Sequence, residues 1–193
     1  MNVSEKIKYH CENKKYCKIS RKVGKHAYEK THGFIVDYNE SFVVVQENHD
    51  FLICGYLIFP LTSISKIGFN RNDKYFDKIL RLEGVTTIVC NKHKIDLSSW
   101  ENIFESIKSL GFNIIIENED PEDESFDVGP ITKITRNSLF IRYFNARGFL
   151  DDEPTEITWD KITLVKFDDH YTNTFSKYLR ERKPKKIKTK IED

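Results

Sequence analysis

The feature that most constrains this chain is a stretch written twice. The first copy opens Gly33-Phe34-Ile35-Val36, continues through Ser41 to Val45 and closes over Leu61 to Phe69. The second opens Gly129-Pro130-Ile131-Thr132, continues through Ser138 to Arg142 and closes over Trp159 to Phe167. Ile64, Ile67 and Phe69 map onto Ile162, Val165 and Phe167 at one constant offset. Recurrence of apolar positions at a fixed offset marks a duplicated structural unit. Each close is followed by a short helical phrase, Tyr75 to Arg81 and then Phe175 to Arg180.

The residues inside each copy read as β-structure. Phe42 to Gln46 is aromatic and β-branched, which suits a strand. Tyr38-Asn39-Glu40 and Glu47-Asn48-His49-Asp50 are turn chemistry on either side of it. Phe51 to Phe59 continues as a strand with a bend expected at Gly55, and Ser63 to Gly68 closes the module. A helix is expected from Asp73, ended by Gly84. Val85 to Cys90 and Ile95 to Leu97 read as strands. Ser98 or Ser99 then caps a helix carrying Trp100, Ile103, Phe104, Ile107 and Leu110 at helical spacing, and Phe112 to Glu117 is an apolar strand. In the second copy, Thr155 to Thr158 and Ile162 to Phe167 are strands, and residues 171–181 are helical.

A Gly-led hairpin, a bent central strand and a short closing strand with paired Ile resemble the small SH3-like barrels. Gly33-x-x-Val36-Asp37-Tyr38-Asn39 is similar to the first signature of the Sm-like family. That resemblance implies a strongly bent five-stranded barrel that binds single-stranded RNA at loop residues, here Asp37-Tyr38-Asn39. The second Sm signature has no counterpart near Ile58 to Ile64. The phrase Phe51 to Ile67 also resembles a group of uncharacterised bacterial proteins with two barrel-like halves.

The expected fold is therefore α+β and β-rich. Two SH3/Sm-like barrel-type repeats are each followed by a short helix, with a strand-helix-strand insert between them. The expected organisation is a basic N-terminal arm over residues 1–32, a first repeat plus helix over 33–84, and the insert over 85–117. An acidic linker over 118–127, a second repeat plus helix over 128–182 and a basic tail over 183–193 complete it.

The chemistry-bearing residues do not group into a catalytic pattern. His10, Cys11, Cys17, His26 and His32 are close in sequence, but Cys11 and Cys17 are too far apart for the two-ligand knuckle that zinc favours. Cys90 with His93 is close in sequence, but three residues across a hairpin turn rarely put both groups on one face, and no oxyanion-type Gly loop is nearby. Cys54 and Cys90 read as core residues. Asp151-Asp152-Glu153 and Asp168-Asp169-His170 could bind a cation but read as solvated loop ends. The glycines are isolated, so no phosphate-cradling loop is seen. No cofactor, metal or catalytic residue is expected, and the chain reads as a non-enzyme.

Charge is high but balanced, with 31 Lys and Arg against 30 Asp and Glu. No global field therefore draws the whole chain to nucleic acid or membrane. The longest apolar run, Phe51 to Leu61, is far short of the roughly 20 residues that span a bilayer. With no leader expected in residues 1–30, the reading is a cytoplasmic protein. The expected function is a non-catalytic scaffold that binds another protein. The alternative is an RNA or single-strand binder of Sm-like type, using Tyr16, Lys18, Arg21, Lys22, Tyr38 and Asn39 to contact phosphates and stack bases.

Overall fold

The computed structural model describes residues 1–182. The chain opens with helix α1 (Val3–Glu12), started by a capping box in which Asn2 and Glu5 satisfy each other's backbone N–H groups. Strands β1 (Tyr16–Lys22), β2 (Tyr28–Tyr38), β3 (Phe42–His49) and β4 (Leu52–Pro60) follow as an antiparallel run. A 3-10 turn over Leu61–Ser63 leads into β5 (Ile64–Gly68), which returns to pair with β1. Helix α2 (Arg71–Leu82) and a 3-10 turn over Val85–Thr87 come next, then α3 (Trp100–Ser109) and β6 (Ile114–Asn118). Strands β7 (Ser125–Gly129), β8 (Ile131–Ile134), β9 (Ser138–Ile141) and β10 (Thr155–Thr158) lead through a second 3-10 turn, Trp159–Lys161, into β11 (Leu164–Phe167). Helix α4 (His170–Phe175) ends the regular structure. The basic tail expected over 183–193 lies outside the described residues.

The α+β, β-rich class holds, but the expected pair of barrels does not form. The described residues make one eight-stranded antiparallel sheet, in the order β5-β1-β2-β3-β4-β11-β6-β7, beside a three-stranded sheet, β10-β9-β8. The join is β4 with β11, where Tyr56, Leu57 and Ile58 face Phe167, Lys166 and Val165. A strand edge carries unpaired N–H and C=O groups that seek partners. Here β4 from the first half and β11 from the second satisfy each other, so neither half closes on itself. The expected insert is corrected as well. Val85 to Cys90 and Ile95 to Leu97 form no strand, and only the α3–β6 part of a strand-helix-strand unit is present. The stretch expected as a linker, 118–127, is the tight turn and flanks of the β6–β7 hairpin. The C-terminal helix stops at Phe175, well before residue 181, and Arg180 instead bridges to Phe149.

Element order does recur. Helix, four strands, a 3-10 turn and a closing strand describe α1 to β5; in the second half β7 and β8 together take the place of the long β2. Gly33 and Gly129 mark the same local geometry. A Cβ on Gly33 would sit 2.2 Å from the Gln46 carbonyl oxygen, and one on Gly129 would sit 2.0 Å from that of Arg142. Gly is required there because two backbones approach closely. Gly33→Ala and Gly129→Ala are each expected to cost about 1–3 kcal/mol, the usual range for overpacking, read as a lower urea midpoint at unchanged slope.

Strands β3 and β4 alternate between two cores. Phe42, Val44, Tyr56 and Ile58 face α3 with Ile103, Phe104 and Ile107. Val43, Val45, Leu57 and Phe59 pack with Ile7 of α1 and with Cys17 and Ile19 of β1. Burial on both faces explains why these strands are nearly continuous apolar runs. A third, smaller cluster places Leu80 of α2 over Tyr16 and Phe34. This last contact builds the candidate site.

Candidate binding face along helix α2

The antiparallel register of β1 and β2 sets Tyr16 opposite Phe34 and Lys18 opposite His32. Side chains two apart share a face, so these four form one floor. Helix α2 lies over it. Its start is set by Asn70, whose side chain accepts from the Asn72 and Asp73 N–H groups, while Asp73 accepts from the Asn70 N–H. The other oxygen of Asp73 holds the Lys18 ammonium at 2.9 Å, and Asp73 is buried. One turn on, Asp77 accepts the Tyr16 N–H at 3.0 Å and pairs with Lys15 and Arg81, each at 3.0 Å.

Burial works to raise the Asp77 pKa, but the Tyr16 N–H, Arg81 and Lys15 outweigh it and hold the carboxyl below its usual value. A lowered folded pKa gives stability that is present above the unfolded value and is lost as pH falls through the folded one. Asp77→Asn is therefore expected to lower stability at neutral pH and to flatten its decline below about pH 4, read from urea midpoints at stepped pH. Glu117 and Asp127 act in the other sense. Burial raises both, and Glu119 adds to the effect at Glu117. Their ionisation opposes folding as pH rises above the unfolded value, so their effect lies on the high-pH side of the Asp77 limb.

Two cavities flank α2. One, of about 340 Å³, is lined by Tyr16, Lys18, His32, Asn72, Asp73, Tyr75, Phe76 and Ile79. The other, of about 460 Å³, is lined by Phe51, Ile79, Glu83 and Val85. Phe76 separates them, with its ring 4.9 Å from that of Tyr16 and 5.5 Å from that of Phe51. Burial pushes the Tyr16 phenol up to about 12, with the Asp73 charge adding to it. Burial also lowers the His32 pKa, and Lys18 lowers it further, so the imidazole is neutral.

The outward side of α2 is unusually apolar. Tyr75, Ile79 and Leu82 fall on one stripe at helical spacing. Tyr75 is 66% exposed and Leu82 74%, with Phe51 at 47% and Leu52 at 70% on the neighbouring hairpin tip. In the sequence Tyr75, Phe76, Ile79 and Leu80 form one apolar stripe at helical spacing. Only Leu80 is fully buried, because β1 and β2 offer a floor just wide enough for the Asp73, Asp77 and Leu80 side of the helix.

The six residues expected to contact nucleic acid do not converge. Tyr16 and Lys18 line the first cavity. Arg21 is buried in a bidentate pair with Glu119. Lys22 is exposed at the far end of β1, opposite Tyr28. Tyr38 and Asn39 line a separate cavity of about 530 Å³ with Lys94, Asp96 and Leu97. The Asn39 amide is used internally, accepting from the Ser41 and Phe42 N–H groups and donating to the Leu97 carbonyl.

Three placements were not legible in sequence. His32 enters the site only through its register with Lys18. His93, which the sequence sets beside Cys90, is instead held by Asp168 at 2.7 Å and packs on Tyr56 and Phe112. Cys90, expected in the core, is exposed, and Cys54 is half-buried. The Cys90 backbone is pinned by Gln46 and Tyr56, whose side chains accept its N–H and donate to its carbonyl. Among the described residues no helix is long and apolar enough to cross a membrane. Comparison with known proteins finds no matching family model, no matching curated protein and no matching solved structure.

Proposed function

We propose that this chain is a non-catalytic interaction protein that docks another protein on the outward stripe of α2 and the adjoining hairpin tip. The observation that carries this reading is the exposure of Leu52, Tyr75 and Leu82 on two elements that Phe51 joins by packing on Phe76. Large exposed apolar groups that cluster, rather than scatter singly, mark interaction surfaces. The cavity of about 460 Å³ between Phe51, Ile79 and Val85 offers a recess for an apolar anchor, the kind of feature around which binding energy concentrates. The edges of the patch are polar, with Lys78 and Glu83 exposed on α2, as a rim should be.

The test places a photo-crosslinking phenylalanine analogue at position 52 or 82, and at Glu101 on the exposed side of α3 as a control, in cells that carry the native gene. Discrete adducts of one mass at 52 and 82 but not at 101 are expected. No adduct, or the same adducts at all three positions, overturns the docking reading.

A further inference from the structure

The cavity at the N-terminal half of α2 contains a polar atom that the protein leaves unanswered. His32 Nε2 is fully shielded from solvent and has no hydrogen-bond partner among the described residues. Tyr16, 3% exposed, is tied to α2 through its backbone N–H and lines the same cavity. Buried polar groups in folded proteins are nearly always paired, and one left unpaired calls for a specific explanation. Both residues line a cavity whose other walls are apolar at Tyr75, Phe76 and Ile79 and polar at Lys18, Asn72 and Asp73. Apolar walls with a few convergent polar groups are the ordinary construction of a small-ligand site.

The polar groups select among ligands. A plain phenyl ring would fill the walls and leave His32 unpaired. A planar ring with in-plane donors and acceptors answers it and stacks on the aromatic wall. Lys18 and Lys30 both lie close enough to His32 to oppose its protonation, and Lys30 is exposed. Lys18 is already paired with Asp73, so the exposed Lys30, two residues from His32 on the same face of β2, is the cation that favours an anionic group beside that ring.

We propose that this cavity binds a nucleobase borne on a phosphate, with His32 and Tyr16 reading the base edge, Phe76 and Tyr75 packing on the ring, and Lys30 drawing the phosphate. The base is supplied either by a free nucleotide or by an unpaired position in a single strand. The site shares Tyr75 and Ile79 with the proposed docking stripe, but His32 and Tyr16 lie beneath α2 and not on that stripe.

The experiment is an NMR titration of the full chain labelled with nitrogen-15. The probes are the four ribonucleoside 5′-monophosphates and the matching short homopolymeric RNA strands. Saturable shifts at the His32 ring and at the amides of Tyr16, Lys18 and Phe76 are expected with at least one base. His32→Phe and Tyr16→Phe are each expected to weaken that binding about tenfold at unchanged thermal unfolding. Tyr16→Phe removes one oxygen and keeps the ring, so the test stays readable if His32→Phe fails to fold. Strand binding about tenfold tighter than the mononucleotide assigns the base to a strand, and equal affinity assigns it to a free nucleotide. The proposal is overturned if no probe gives saturable shifts, if the shifts lie away from this cavity, if neither variant weakens binding, or if N-acetyltyrosinamide competes as well as the nucleotides. Nucleotide binding together with failed crosslinking at 52 and 82 would remove the docking reading and leave this one standing.

Discussion

Replacing Arg21 with alanine is expected to destabilise the protein by about 3–5 kcal/mol, a large part of the roughly 5–15 kcal/mol that holds a typical domain folded. Arg21 is 1% exposed and joins the two halves of the molecule. Its guanidinium grips the Glu119 carboxylate through two nitrogens at 2.7 and 2.6 Å and lies 4.9 Å from the centre of the Phe59 ring. Its Nε donates to the Thr31 hydroxyl at 2.9 Å. Glu119 follows β6, and its other close side-chain partner is Thr163, just before β11. Truncation leaves the carboxylate facing a cavity with one hydroxyl in place of a cation. Arg21→Lys does not rescue this, because an ammonium cannot reproduce a planar two-point contact.

The double variant Arg21→Met with Glu119→Leu is the informative control. Removing both charges avoids the unpaired ion, so it should lie closer to wild type than Arg21→Ala does. Urea unfolding of the three proteins checks this. An Arg21→Ala melt that overlays wild type would show that the pair carries no net stability.

Phe167→Ala is expected to cost about 3–5 kcal/mol, the range for deleting a fully buried aromatic ring. Phe167 has no exposed surface. Its ring stacks on Tyr56 at 5.3 Å and meets His93 and Phe112, each at 5.9 Å. Its backbone pairs with Tyr56 on one side and Ile114 on the other. Deletion opens the seam between β4 and β6 and removes the wall that positions His93. The paired control is Phe69→Ala. Phe69 has the matching sequence position in the first half, but it is only half-buried just beyond β5, at the edge of the sheet. Its cost should be clearly smaller, since less area leaves water. Equal losses from the two variants would mean that the central placement of β11 contributes nothing.

These two aromatics show how far local reading reaches. Ile64 with Ile162, and Ile67 with Val165, are buried in both halves, and both closing strands follow a 3-10 turn. That much follows from alternation and turn chemistry, which act over a few residues. Ser99 at the start of α3 and left-handed Gly84 beyond α2 are equally local, because a cap is satisfied within one turn, whereas α2 starts at Arg71 under an Asn70 cap and not at the expected Asp73. The apolar runs of β3 and β4 were legible as strands for the same reason. Val85 to Cys90 looked like another such run, yet it became a 3-10 turn and an irregular segment. Its Cys90 backbone is taken up by the Gln46 and Tyr56 side chains, and no neighbouring strand pairs with it.

The candidate site was legible only in part. Tyr16 and Lys18 drew attention as an aromatic beside a cation, but Arg21 on the same strand looked equally available and is buried. Nothing within a few residues distinguishes a lysine that lines a cavity from an arginine that bridges two halves. Glu119 is 98 residues from Arg21 and Asp168 is 75 residues from His93.

By itself the amino-acid sequence determined where most strands, turns and helix starts lie, because those depend on alternation, glycine and capping side chains close along the chain. The tertiary structure alone decided that the halves share one sheet through β4 and β11, which residues face the cavity under α2, and which side of that helix remains exposed. Strand-edge pairing and ion-pair partners are chosen among groups distant in sequence, by which backbone edges and charges would otherwise be left unsatisfied.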